Sequence, residues 1–208
     1  MTRPPKRLEA RRAEPGLHPP DDAIRLRRVP GGCDNGTMDD EIIEVVDDGG
    51  VVTGTAPRAV IRSRNLWHRT AFVIVRSSAG DVLVHRRALT KPLAPGWWDL
   101  GFGGACDVGE NWHDAAAREL WEEAGIRTPL HHLTAYRWDG KETRETGHLY
   151  ETASDGPFTH PADEVAESRF VSTDGLGDFI DQHDVLDASL QLIVPFLMRP
   201  PKRLEAPA

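Results

Sequence analysis

Apolar and polar positions follow three regimes along this chain. Residues 1–37 show no period: Pro, Arg and Gly are frequent and apolar residues few, so this stretch reads as a disordered extension. From Ile42 the pattern changes to alternation. Ile42–Val46 and Val51–Pro57 alternate around Asp47-Asp48-Gly49-Gly50 and predict a hairpin. Thr70–Val75 and Val82–Arg87 flank the turn residues Ser77–Gly80, and Leu100–Gly104 forms another short strand. Leu133–Trp138, His148–Ala153 and Ser168–Val171 complete a sheet. Helical spacing occurs in two places. Trp112–Ala124 starts after Asn111, a good N-cap with Asp114 three residues on, and stops at Gly125, where a left-handed C-cap belongs. Its apolar stripe is expected at Ala117, Leu120, Trp121 and Ala124. Val185–Met198 is the second helix, striped by Leu186, Leu190, Ile193 and Leu197, with Pro195 expected to kink it or mark its weak end.

The pattern suggests an extension at 1–37, a hairpin region at 38–66, a main domain at 67–198 and a tail at 199–208. A shorter protein starting at Met38 would lose nothing assigned to the domain, and a basic arm touching a polyanion is the other reading of the extension. RPPKRLEA occurs at both 3–10 and 199–206; we have no physical account of this repeat.

Composition narrows the function class. The 208 residues are 39% hydrophobic, enough for one core. A net charge of −8 argues against electrostatic binding of nucleic acid. Two cysteines give no disulfide framework, and no apolar run approaches the ~18 residues of a membrane span. The basic N-terminus lacks an apolar core behind it and is no secretory signal, so a cytoplasmic location is expected.

Candidate chemistry concentrates on the first helix. Glu119, Glu122 and Glu123 stand at i, i+3 and i+4, so they share a helical face and repel one another. A solvated acidic face is the ordinary explanation. A hard divalent cation would turn the repulsion into a binding site.

The frame around these glutamates favours the second explanation. Gly104, Glu110, Arg118-Glu119-Leu120, Glu122-Glu123 and Gly125-Ile126 fill every fixed position of the Nudix box. The chain therefore resembles the Nudix hydrolases, which cleave a diphosphate linked to another moiety with magnesium or manganese. The resemblance implies an α/β/α sandwich with a mixed sheet and a loop-helix-loop box. It implies metal ligands at Glu119, Glu122 and Glu123, with a carbonyl of Gly103 or Gly104 adding to them. Arg118 would orient the glutamates by salt bridges, and Glu110 would stabilise the loop or support the metal shell. The base would be a box glutamate, Glu122, or a late-loop carboxylate, Glu164 and after it Glu167. Many relatives pair up, so a homodimer is possible.

Upstream, Arg86-Arg87, Lys91 and Pro95-Gly96-Trp97-Trp98-Asp99 look like the Nudix branch of isopentenyl diphosphate isomerase. Arg86, Arg87 and Lys91 would grip a distal phosphate or an acidic group of the substrate, with plain surface solvation the equal alternative for each. Trp97, Trp98 and Trp138 would stack on a base or cap an apolar leaving group, the more common alternative for such residues being core or rim packing. The isomerases need a cysteine and a histidine where this chain has Gly103 and Ala105, and Cys106 reads as a small packing residue. The resemblance thus favours hydrolysis of a small diphosphate in a nucleoside diphosphate-X-type substrate. The alternatives are a prenyl diphosphate isomerase and a non-catalytic sensor of a nucleotide metabolite.

Overall fold

A computed structural model describes residues 41–198; the extension, Met38 and both RPPKRLEA copies lie outside the described residues. The hairpin forms as expected from β1 (Ile42–Val46) and β2 (Val52–Pro57), with Asp47 Oδ1 accepting from the Gly49 and Val51 N–H groups across the turn. A seven-residue helix that the periodicity had not disclosed, α1 (Arg58–Arg64), follows and ends on Asn65 in the left-handed conformation. Asn tolerates that geometry better than most residues.

The sheet is organised around β3 (Trp67–Arg76). One edge of β3 pairs in parallel with all of β8 (Arg144–Ala153), which in turn pairs antiparallel with β7 (His131–Asp139). The other edge is shared. β1 meets its start at Val45↔His68, β6 (Phe102–Ala105) occupies Thr70–Val73, and β4 (Val82–Arg87) touches only its end at Arg76↔Val82. The Ser77–Gly80 turn therefore joins two strands that splay apart. β4 pairs instead with the short β5 (Trp98–Asp99) and with β9 (Val165–Val171).

Strand alternation sorts β3 into two faces. Ala71, Val73 and Val75 pack with Phe102, Ala115, Ala116, Leu120 and Ala124 under α2 (Trp112–Ala124). Ile74 and Phe72 pack on the opposite face with Leu149, Leu176, Phe179, Ile193 and Leu197. The layers are an α/β/α sandwich with a mixed sheet, the expected fold.

Both ends of α2 follow their sequence signals. The Asn111 side chain accepts from the Asp114 N–H at 3.0 Å, and Gly125 caps with φ 70°. The stripe is rotated from expectation: Ala117 and Trp121 are exposed, Trp121 at 46%, while Ala115 and Ala116 are buried. The rotation turns Glu119 and Glu123 inward. Small alanines allow the helix to lie close to β6, and the carboxylates then occupy the space beside the glycines.

The C-terminal segment contains a further helix, α3 (Leu176–Gln182), that was not expected. The last helix is not uniform. Residues Ser189–Ile193 form a π-helical turn that runs into α4 (Val194–Leu197). Pro195 lacks an N–H, so the ladder cannot continue through it, and the preceding Val194 N–H reaches back five residues to Ser189 O. Of the expected stripe, Ile193 and Leu197 are buried and Leu186 and Leu190 are half-buried.

His85 is buried on β4, stacked on Phe102 at 4.5 Å, and its Nδ1 has no hydrogen-bond partner. Burial pushes its pKa down to about 4. In the range between that value and the ordinary 6.5, the unfolded chain binds the proton and the folded one does not, so stability falls as pH drops. Urea denaturation should show this residue contributing a loss of about 2 kcal/mol from pH 7 to pH 5. His85→Leu should flatten that part of the profile; an unchanged slope would contradict the assignment.

Candidate active site

The site is built where β6 runs under α2. A Cβ on Gly103 would lie 2.0 Å from the Ala71 carbonyl oxygen, so only glycine permits this strand contact. A Cβ on Gly104 would lie 2.7 Å from a carboxylate oxygen of Glu119. The two glycines therefore let carboxylates rest directly on backbone. Glu123 Oε2 accepts from the Gly103 N–H at 3.0 Å. Glu119 is 9% exposed and Glu123 7%.

Arg118 ties the cluster together. Its guanidinium donates to Glu110 through two nitrogens (3.1 and 2.9 Å), to Glu119 (2.8 Å), to Glu122 (3.1 Å) and to the Ala105 carbonyl (2.9 Å). Burial opposes the Arg118 charge, but Glu110 and Glu119 more than offset it, so the group is held cationic. Glu110 also accepts from the Asp107 N–H at 2.9 Å and closes the loop that precedes α2. Burial would raise the Glu110 pKa, yet the Arg118 and Asp107 bonds bring it below the ordinary value.

Glu123 is different. Burial, and after it the charge of Glu119, pushes its pKa up to about 8, against the pull of Lys91 and the Gly103 N–H. The Glu119 carboxyl is also raised, by burial first, despite Arg118. Two carboxylates are thus packed together with too little positive charge to balance both. Among the described residues no three carboxylate, histidine or cysteine groups already form a closed cage. The oxygen donors and the unbalanced charge nevertheless fit a hard divalent ion. Glu119 and Glu123 would hold it with a glycine carbonyl; Glu122 lies on the exposed side and joins them through Arg118.

A cavity of about 840 Å³ opens against Gly103 and Gly104, on the sheet face that also carries His68, Thr70 and Phe72. Arg87, Lys91, Trp97 and Trp138 line it. Lys91 is drawn toward the acidic pair. Burial lowers its pKa and Glu123 raises it, with a net shift downward. The Lys91 ammonium also contacts the Glu164 carboxylate, so the late loop is brought to the site.

The other positions are placed elsewhere. Trp98 is 5% exposed and packs edge-on against Phe179 at 5.1 Å and His183 at 5.5 Å. It is a core residue and not a substrate platform, because β5 turns it toward the C-terminal helices. Arg86 is exposed and bonds the Gly96 carbonyl (2.9 Å) and Glu167 (3.3 Å), away from the cavity lining. Glu167 is engaged there and not at the acidic pair. Cys106 is buried as a packing residue, and burial pushes its thiol up to about 12, which removes it as a proton donor or nucleophile near neutral pH. The cavity residues that were not anticipated include Arg58, Tyr136, Glu145 and Ser189. Only α1 offered a sequence signal, in Asn65 as a left-handed stop after a short helix-forming run.

A glycine-backed acidic helix beside a cavity lined in part by Arg87 and Lys91 suits phosphate chemistry. The sequence profile of the NUDIX domain matches residues 66–190. The chain belongs to the Nudix family, whose general reaction is hydrolysis of acid anhydrides. It is 40% identical over 134 residues to an uncharacterized Nudix hydrolase of Pseudomonas aeruginosa, covering 64% of this chain and 79% of that one. It is 34% identical over 128 residues to the Nudix hydrolase YfcD of Escherichia coli K12, covering 61% and 71%. These names stop at Nudix hydrolase and do not extend to the isomerase branch. Among solved structures, DR0079 of Deinococcus radiodurans is similar in fold, with a TM-score of 0.67 at 22% identity over 76% of this chain and all of that one. The NUDIX domain of Shewanella oneidensis NrtR, solved with ADP ribose, gives a TM-score of 0.50 at 16% identity, covering 66% and 95%. No helix among the described residues is long and apolar enough to cross a membrane.

The two glycines should respond differently to alanine. At Gly103 the added carbon meets backbone, so Gly103→Ala should lower stability by about 3 kcal/mol or more in thermal or urea unfolding. At Gly104 it meets a side-chain end that can move, so Gly104→Ala should fold but displace Glu119. Equal melting behaviour of the two variants would refute this account.

Proposed function

We propose that this Nudix hydrolase cleaves the diphosphate of a nucleoside diphosphate-X-type substrate and depends on magnesium or manganese. The observation that carries the reading is the buried Glu119–Glu123 pair set against Gly103 and Gly104, with raised carboxyl pKa values and an adjoining cavity lined by Arg87 and Lys91. A divalent ion held there supplies charge to offset the diphosphate oxygens and makes water more acidic.

The chain's own groups perform the rest. The Gly103–Gly104 backbone lets phosphate oxygens approach without side-chain obstruction. Arg118 fixes Glu119 and Glu122 by ion pairs and is a positioning residue. Arg87 and Lys91 offset negative charge on the phosphate that leaves. Water attacks phosphorus, the bond to the bridging oxygen breaks, and the leaving phosphate departs as an oxyanion. The water proton passes to a carboxylate. Glu164 is our assignment, since its carboxylate contacts Lys91, which is itself drawn toward the acidic pair; Glu122, exposed and bonded to Arg118, is the second candidate. The cavity takes the X moiety or the nucleoside, with Trp97 and Trp138 on its wall.

A panel of nucleoside diphosphate-linked compounds, ADP ribose among them, should be incubated with magnesium and scored for phosphate-containing products. At least one should be hydrolysed, with no turnover after chelation. Glu123→Gln should then reduce kcat by orders of magnitude while the protein still folds. Glu164→Gln should reduce it by about 10²-fold or more as expected for loss of a general base. Activity of Glu123→Gln within a few fold of the parent would remove the metal-site assignment.

A further inference from the structure

We propose that Arg58, from α1 and outside the residues matched by the NUDIX profile, is a phosphate-binding residue of the active site; this rests on the diphosphate reading given above. Three features place it there. First, the hairpin is fastened to the box loop: Glu44 accepts from the Gly109 N–H at 3.0 Å and pairs with Arg69 at 2.7 Å, and Ile43 bridges Asp107. Second, α1 is fastened to β6. Ile61 shares a small core with Ile43, Ala56 and Ala105, and Ala105 directly follows Gly104. Arg58 stands three residues before Ile61, on the same side of the helix. Third, Arg58 lines the cavity together with Arg87, Lys91, Gly103 and Gly104.

Arg58, Arg87 and Lys91 bring three positive charges to the cavity wall that Gly103 and Gly104 also line, and a diphosphate carries the complementary negative charge. Arg58 meanwhile pairs with Glu41 at 2.7 Å, with its side chain 25% exposed, so the guanidinium is held at the cavity wall with donors left over. Arginine suits this role because its planar fork matches a phosphate.

The competing role is structural, since the Arg58–Glu41 pair and the Arg58 N–H to Glu41 carbonyl bond (2.8 Å) tie α1 to β1. Removing either side chain breaks the ion pair, but only one removes the phosphate donor. The test is calorimetric titration of the full chain, with magnesium, using methylenediphosphonate, a diphosphate whose bridge cannot be hydrolysed. Arg58→Ala should weaken binding by about tenfold or more, the loss expected for a charged hydrogen bond. Glu41→Ala should leave it within about twofold of the parent on the same scale. Arg58→Gln, which keeps the length of the stem, should repeat the loss if alanine disturbs the helix. The proposal is overturned if Arg58→Ala and Arg58→Gln both bind as the parent does, or if the Glu41 and Arg58 variants weaken alike. A parent protein that fails to bind the diphosphonate at all would instead overturn the diphosphate reading beneath it.

Discussion

Two carboxylates buried side by side beneath a strand of glycines are the constraint around which this protein is arranged. Like charges out of water are costly, and the cost grows as the local dielectric falls. Several features work against it. The Gly103 N–H bonds Glu123, Arg118 spreads its charge over Glu110, Glu119 and Glu122, and Lys91 approaches from β4's following loop. The balance is still short, and Glu123 remains displaced to about 8. In the proposed reading, that deficit is what would draw a cation to the site. A fully neutralised cluster would be more stable and would have nothing left to offer a metal.

That arrangement demands rigidity, and the sheet supplies it. β3 is hydrogen-bonded along its whole length to β8 and at its centre to β6. The residues of β3 that face α2 are small or branched, Ala71, Val73 and Val75, and the helix answers with Ala115 and Ala116. Close approach of helix to strand is the result. It sets the distance at which a glycine is required at 103 and at which the Glu119 carboxylate rests against Gly104. Stability and site geometry thus come from the same contact, so core substitutions along this seam will alter both.

The cavity is assembled from pieces distant in sequence. Arg58 follows β2, Arg87 and Lys91 follow β4, Trp138 belongs to β7 and Ser189 to the last helix. The family reaction belongs to the box and its helix. The cavity walls come from segments on which the box imposes no pattern.

Periodicity and punctuation in the sequence were enough for the local elements: the hairpin around Asp47–Gly50, the sheet strands and the limits of α2 at Asn111 and Gly125. These are decided by neighbouring residues, through alternation, capping and left-handed stops. The box also carried the family, because its spacing reflects one helix and one loop. Burial was another matter. Trp98 was a candidate platform and is core, Trp121 looked like core and is exposed, and Glu119 and Glu123, read on a face apart from the apolar stripe, are buried. Helix rotation depends on what the opposing strand can admit, and here glycines at 103 and 104 admit carboxylates. Short helices such as α1 carry too few turns for a period to show. The meeting of Lys91 with Glu164, and of Arg58 with the cavity, joins chain segments through the sheet order, which only the packed tertiary structure decides.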